Sequence, residues 1–224
     1  MKQLLLILVL PFITYCSKAE QTDLATLKLN EPVENLLSET SLKSIGTNSV
    51  EYPFAILAED TDSTKFVFSN IPVDKVYFLL PAKVNNDSVM KNGGGRFDGT
   101  FFKTKKQLEN NLKILEKQNI SSEIFGFRAE IKGKKNQNGV KQLLIKKYGN
   151  GKKNPNTDNG LYWNVKNENK YIFFAPDYDR LIVVNSKNLS KTCYWDLQNG
   201  IINIGAEKCD SDKYFKEMGI GVSE

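Results

Sequence analysis

Histidine is absent from the 224 residues, which removes the commonest general base and the commonest metal ligand near neutral pH. No Ser–His, Cys–His or zinc arrangement can therefore be drawn. Arginine is confined to Arg96, Arg128 and Arg180. Base readout and bidentate phosphate contacts favour arginine, so the lysine-dominated charge speaks against nucleic-acid binding. Tryptophan occurs twice, at Trp163 and Trp195, a thin supply for an aromatic carbohydrate cleft. Apart from Leu4 to Ile13, broken only by Pro11, no stretch is long and apolar. That run falls short of the roughly 20 residues a membrane span needs.

What is present begins with a short positive segment at Lys2, the apolar run, and polar residues from Thr14 onward, the pattern of an export signal. Two processing routes are open. Ser17-Lys18-Ala19 places small residues where an ordinary signal peptidase reads them, leaving Glu20 first. Ile13-Thr14-Tyr15-Cys16 resembles the lipobox of bacterial lipoproteins, a family defined by its signal rather than its fold. Ile13, Thr14 and Cys16 fit that pattern; Tyr15 departs from the small residue usual before the cysteine. The resemblance implies lipid on Cys16, attachment of the chain to a membrane through that lipid, and residence in the bacterial cell envelope. Cleavage before Glu20 would instead give a soluble periplasmic or secreted protein. Either route leaves Cys193 and Cys209, an even pair for an oxidising compartment. A disulfide closing a loop of that size contributes about 3 kcal/mol in the chain-entropy model; two buried thiols are the alternative.

Net charge is +5 and 40% of residues are apolar, enough to bury a core in one large domain or two small ones. The divisions read as signal peptide 1–15, anchor and tether 16–23, one globular domain 24–215 with two subdomains conceivable near 96–104, and tail 216–224. The expected fold is α+β, antiparallel strands with two amphipathic helices at about 104–118 and 139–148. In the first helix Thr104 is the cap, and Leu108, Leu112 and Leu115 form one stripe. The second places Val140, Leu143 and Leu144 on one face and stops at Gly149. A short helix is expected after Pro32. Strand-like segments are Tyr52–Leu57, Thr64–Phe68, Lys75–Leu80, Phe97–Phe102, Ile124–Ile131, Leu161–Val165, Tyr171–Phe174 and Leu181–Val184. Ser38–Asn48 and Gly149–Gly160 read as loops, and Asn70-Ile71-Pro72 and the basic stretch GKKNQNG as turns.

Few patterns carry chemistry. Asn92-Gly93-Gly94-Gly95-Arg96 lacks the Lys-Ser/Thr or the following helix that a phosphate loop requires. The pairs Asp60/Asp62, Asp177/Asp179 and Asp210/Asp212 lack the ligand array of a calcium loop and suit turns. Asp177 and Asp179, beside Tyr178 and Arg180, are the pair to inspect first. Tyr162 and Trp163 are adjacent on a strand, where they either stack against a ligand or fill the core. Lysines crowd between Lys132 and Lys153, suiting anionic headgroups, an acidic protein partner, or plain solvation. No catalytic residue, metal or cofactor is called for. The expected function is a non-catalytic binding or envelope-accessory role. The alternatives are a hydrolase of envelope glycan using two carboxylates and an inhibitor or immunity-type protein with a protruding loop at Gly149–Gly160.

Overall fold

The computed structural model describes residues 21–37, 45–48, 55–59, 65–80, 101–102, 104–117, 121–154 and 157–186. Cys16, Cys193, Cys209, Asn92–Arg96, Asp60/Asp62 and Asp210/Asp212 lie outside them, as does the stretch around Trp195. In chain order the strands are β1 (Thr22–Asp23), β2 (Ile45–Asn48), β3 (Ala55–Glu59), β4 (Phe66–Phe68), β5 (Ile71–Pro72), β6 (Lys75–Leu79) and β7 (Phe101–Phe102). Helix α1 (Lys105–Lys117), β8 (Gly126–Glu130) and helix α2 (Lys134–Tyr148) follow. The chain continues through β9 (Lys152–Lys153), β10 (Leu161–Val165), β11 (Lys170–Ala175) and β12 (Arg180–Asn185). This is the α+β architecture expected.

Among the described residues nine strands form one sheet in the order β7-β2-β3-β6-β8-β12-β11-β10-β9, and every neighbouring pair is antiparallel. A small second sheet sets β1 parallel to β4 and β4 antiparallel to β5. Both helices pack on one face of the large sheet. Leu108 and Leu112 of α1 and Val140 and Leu144 of α2 share a buried cluster with Phe127, Ala129, Ile172, Phe174, Leu181 and Val183. These strand positions are every second residue, as the pleat dictates.

The intervening residues are buried too. One row across the opposite face runs Tyr162, Phe173, Ile182, Arg128 and Tyr77 through the strand register. Phe173 and Ile182 are fully buried, and Arg128 lies over the Tyr77 ring at 4.1 Å. Burial on both faces explains why KYIFFA and RLIVVN are nearly continuous apolar runs rather than alternating ones. Another row alternates in charge, with Arg180 opposite Glu130 and Glu130 opposite Lys75, a favourable cross-strand arrangement.

The two hairpin turns of the β10–β12 meander share one design. Lys166–Glu168 and Pro176–Tyr178 are single 3-10 turns, each followed by a left-handed residue, Asn169 (φ 52°) and Asp179 (φ 55°). Asn and Asp are the non-glycine residues best suited to that conformation.

Five readings change. Helix α2 starts at Lys134, so most of GKKNQNG is helical rather than a turn. The reason is tertiary: the Gln137 amide donates to Ile131 O (3.3 Å), Pro176 O (3.2 Å) and the Asp179 carboxylate, fastening the polar first turns to the β11–β12 turn. Thr22 and Asp23, read as the end of the tether, pair with Phe66 and Val67. Asp23 also caps the following 3-10 turn by accepting from Ala25 N–H at 3.0 Å. Ile45–Asn48 and Lys152–Lys153, read as loop, are strands near or at the sheet ends. Both lysines of β9 are exposed, and lysine on an outermost strand discourages pairing with other chains. Ile71–Pro72, read as turn, is the third strand of the small sheet. The helix after Pro32 is a 3-10 turn, Val33–Asn35, with Pro32 as its cap. No helix among the described residues is long and apolar enough to cross a membrane.

Candidate functional site

Helix α2 ends Lys146-Lys147-Tyr148-Gly149. Gly149 adopts φ 78° and its N–H donates to Ile145 O at 2.8 Å, so the chain turns sharply there and runs back as β9 along the edge of the sheet. Trp163 locks this corner. Its indole N–H donates to Gly149 O at 2.9 Å, and its ring lies so close to Gly151 that a β-carbon there would sit 2.7 Å from it. The glycine is required by that approach, not by its own backbone angles.

Between the end of α2, β9 and β10 lies an open cleft of about 590 Å³, within the size range of small-ligand sites. Its charged groups are Lys147, Lys152 and Lys166, and its amides are Asn150, Asn164 and Asn167. Tyr148, Tyr162 and Trp163 provide the aromatic surface. Among the described residues no carboxylate lines it. Glu168 stands just outside and is engaged: it accepts from the Tyr148 hydroxyl at 3.1 Å and pairs with Lys147 at 3.5 Å and Lys170 at 3.7 Å. Lys170 in turn donates to Leu27 O at 2.7 Å. One carboxylate thus ties α2, the β10–β11 turn and the segment before Pro32 together. Lys152 and Lys166 are exposed and make no ion pair among the described residues, so the described lining of the cleft is cationic.

The titrations reflect this packing. Hydrogen bonding to Tyr148 holds the Lys147 ammonium above the ordinary lysine value, against a smaller opposing effect of burial, and Glu168 adds to the rise. Burial pushes the Tyr148 phenol above its usual value; Lys147 pulls it back and the Glu168 charge raises it. Lys147 is therefore a firm cation and Tyr148 a neutral donor at physiological pH.

Of the residues singled out by the sequence, Tyr162 and Trp163 are brought to this cleft but are 3% and 4% exposed. Trp163 faces the helices, and Tyr162 faces the other way, stacked on Phe173 with centroids 6.3 Å apart. Asp177 and Asp179 lie at the opposite end of β11. The Asp177 carboxylate accepts from the Asn159 N–H (3.1 Å) and side-chain amide (2.8 Å), and Asp179 accepts from Gln137. Among the described residues no three acidic or cysteine side chains converge as a metal site. The lysine cluster is divided by α2: Lys134 and Lys135 start the helix and Lys146 and Lys147 end it. The described part of 149–160 folds back on itself, with Asn154 fully buried and its N–H donating to Gly160 O at 2.9 Å. Glu168, Lys166 and the three asparagines had no sequence signal, because nothing local marks them as neighbours of α2.

The chain matches no known family model, and comparison with curated proteins and with solved structures finds no match.

Proposed function

We propose that the protein is an exported, non-catalytic lipoprotein of the bacterial cell envelope, anchored through lipid on Cys16, which binds an anionic ligand in the cleft beside α2. The observation that carries the binding reading is that, among the described residues, Lys152 and Lys166 make no ion pair and no carboxylate lines the cleft they face. Such a site focuses positive potential and concentrates anionic groups, and the asparagines add neutral donors and acceptors. A protein partner would present acidic side chains to the same lysines. The export reading rests on the apolar run and Ile13-Thr14-Tyr15-Cys16.

The glycan-hydrolase alternative has less support. Asp177 and Asp179 are committed to amide partners in a turn, and Glu168 is held by two lysines and a tyrosine.

The test combines two measurements on the mature protein. Intact mass should show lipid on an N-terminal Cys16, lost in Cys16→Ser; a chain beginning at Glu20 refutes the anchor. Inorganic phosphate and a glutamate-rich peptide should bind with strong salt dependence, and Lys152→Glu with Lys166→Glu should abolish it. Unchanged binding in that double variant refutes the cleft.

A further inference from the structure

The residues that close the cleft on one side also wall a second hollow. Lys147 and Tyr148 belong to both. The second hollow measures about 510 Å³ and lies between the end of α2, the 3-10 turn after β1 and the β4–β5 turn. Its character is different. Phe68, Leu143, Leu144 and Ala25 supply an apolar wall, while Lys146 and Lys147 supply charge. Among the described residues no carboxylate lines it, and the exposed Lys146 makes no ion pair. An apolar hollow and a cationic, amide-lined cleft thus meet at the Lys147–Tyr148 pair.

That juxtaposition selects one ligand chemistry. A purely polar anion would leave the apolar wall wet, and an uncharged hydrocarbon would leave the lysines unanswered. We propose that the two hollows form one site for an anionic amphiphile, with the headgroup among Lys147, Lys152 and the cleft asparagines and the hydrocarbon tail against Phe68, Leu143 and Leu144. The inference rests on the binding role given above to the cleft and names its ligand class. Tyr148, whose hydroxyl is fixed on Glu168, supplies the boundary between the polar and apolar parts.

The experiment is calorimetric titration of the purified mature chain with inorganic phosphate and with butyl, hexyl and octyl phosphate, all below their micelle concentrations. A tail entering the apolar hollow tightens binding by up to roughly fourfold per methylene, and a slope of at least about twofold is expected for partial burial. Thr26→Trp, which fills the hollow from an exposed position, and Ala25→Leu, which fills it from the wall, should flatten the series to the affinity of phosphate. Thermal unfolding of each variant checks that it folds. Lys146→Glu should weaken octyl phosphate more than phosphate. Octyl glucoside, uncharged, should bind at least tenfold more weakly than octyl phosphate.

A flat series, with phosphate still bound and still lost on Lys152→Glu with Lys166→Glu, overturns the amphiphile and leaves the anion cleft standing. Failure of every phosphate to bind overturns both. Equal binding of octyl glucoside overturns the charge selection, and a steep series in both filled variants overturns the assignment of the tail to this hollow.

Discussion

Trp163 lines the cleft, yet its role in the fold predicts that replacing it costs stability first. The side chain is 4% exposed, donates to Gly149 O at 2.9 Å and packs on Gly151. Truncation of a buried tryptophan costs about 3–5 kcal/mol through lost transfer energy and the cavity left behind. Trp163→Phe keeps much of the volume and loses chiefly the hydrogen bond, so about 1–2 kcal/mol is expected. In a domain of this size 1 kcal/mol corresponds to roughly 2–4 °C of Tm, so Trp163→Ala should lower Tm by on the order of 10 °C. Gly151→Ala should cost about 1–3 kcal/mol by overpacking against the ring. Without the indole the close neighbour that remains for the new methyl is the Leu161 β-carbon, 3.1 Å away, so Gly151→Ala should cost much less in the Trp163→Ala background. Urea unfolding followed by far-UV circular dichroism on the four proteins closes the cycle, with an expected coupling of about 1–3 kcal/mol. Additive losses would refute the packing argument. A Trp163→Ala protein of near-native stability that no longer binds phosphate would make the indole a ligand platform instead of a core residue.

Other perturbations probe the sheet and the Glu168 cluster. Gly126→Ala should destabilise by about 1–3 kcal/mol or prevent folding, because its methyl would sit 2.6 Å from Val183 O in the middle of the sheet; urea midpoints check it, and a neutral result would contradict the strand spacing. Glu130→Lys puts a third cation between Arg180 and Lys75. It should cost about 0.5–2 kcal/mol from two reversed pairs, with the loss shrinking at high salt. Lys147 and Tyr148 both titrate above their ordinary values of 10.5 and 10.0 in the folded chain. The unfolded chain therefore releases these protons first, and stability falls as pH rises from about 10 through the raised folded values. Glu168→Gln removes a charge that raises both, so the Tyr148 ionisation, isolated at 295 nm by difference from Tyr148→Phe, should move down in pH. An unmoved titration would mean that Glu168 does not face Tyr148.

Local pattern was enough for α+β, for Thr104 as cap of α1, where its hydroxyl accepts from Gln107 N–H, for Gly149 as the stop of α2, and for the β10–β12 meander. Each depends on neighbours within a few residues. Wherever the deciding partner was distant in sequence, the reading failed. The start of α2 depends on Pro176 and Asp179, and β1 exists because Phe66 and Val67 lie beside it. Those polar or short segments carry no hydrophobic period to betray them.

The same division governs the site. The sequence by itself determined the chemical stock: abundant lysine, no histidine, scarce arginine, and an apolar run from Leu4 to Ile13 shortly before Cys16. Only the tertiary structure decided that Asp177 and Asp179 serve a turn, that Trp163 faces inward, and that the Lys147–Tyr148 end of α2 meets Lys152, Lys166 and three asparagines. The physical reason is that a charge acquires meaning from what surrounds it. Glu168 is neutralised by partners brought from α2 and β11, while Lys152 and Lys166 are left facing an open cleft, and composition cannot distinguish the two.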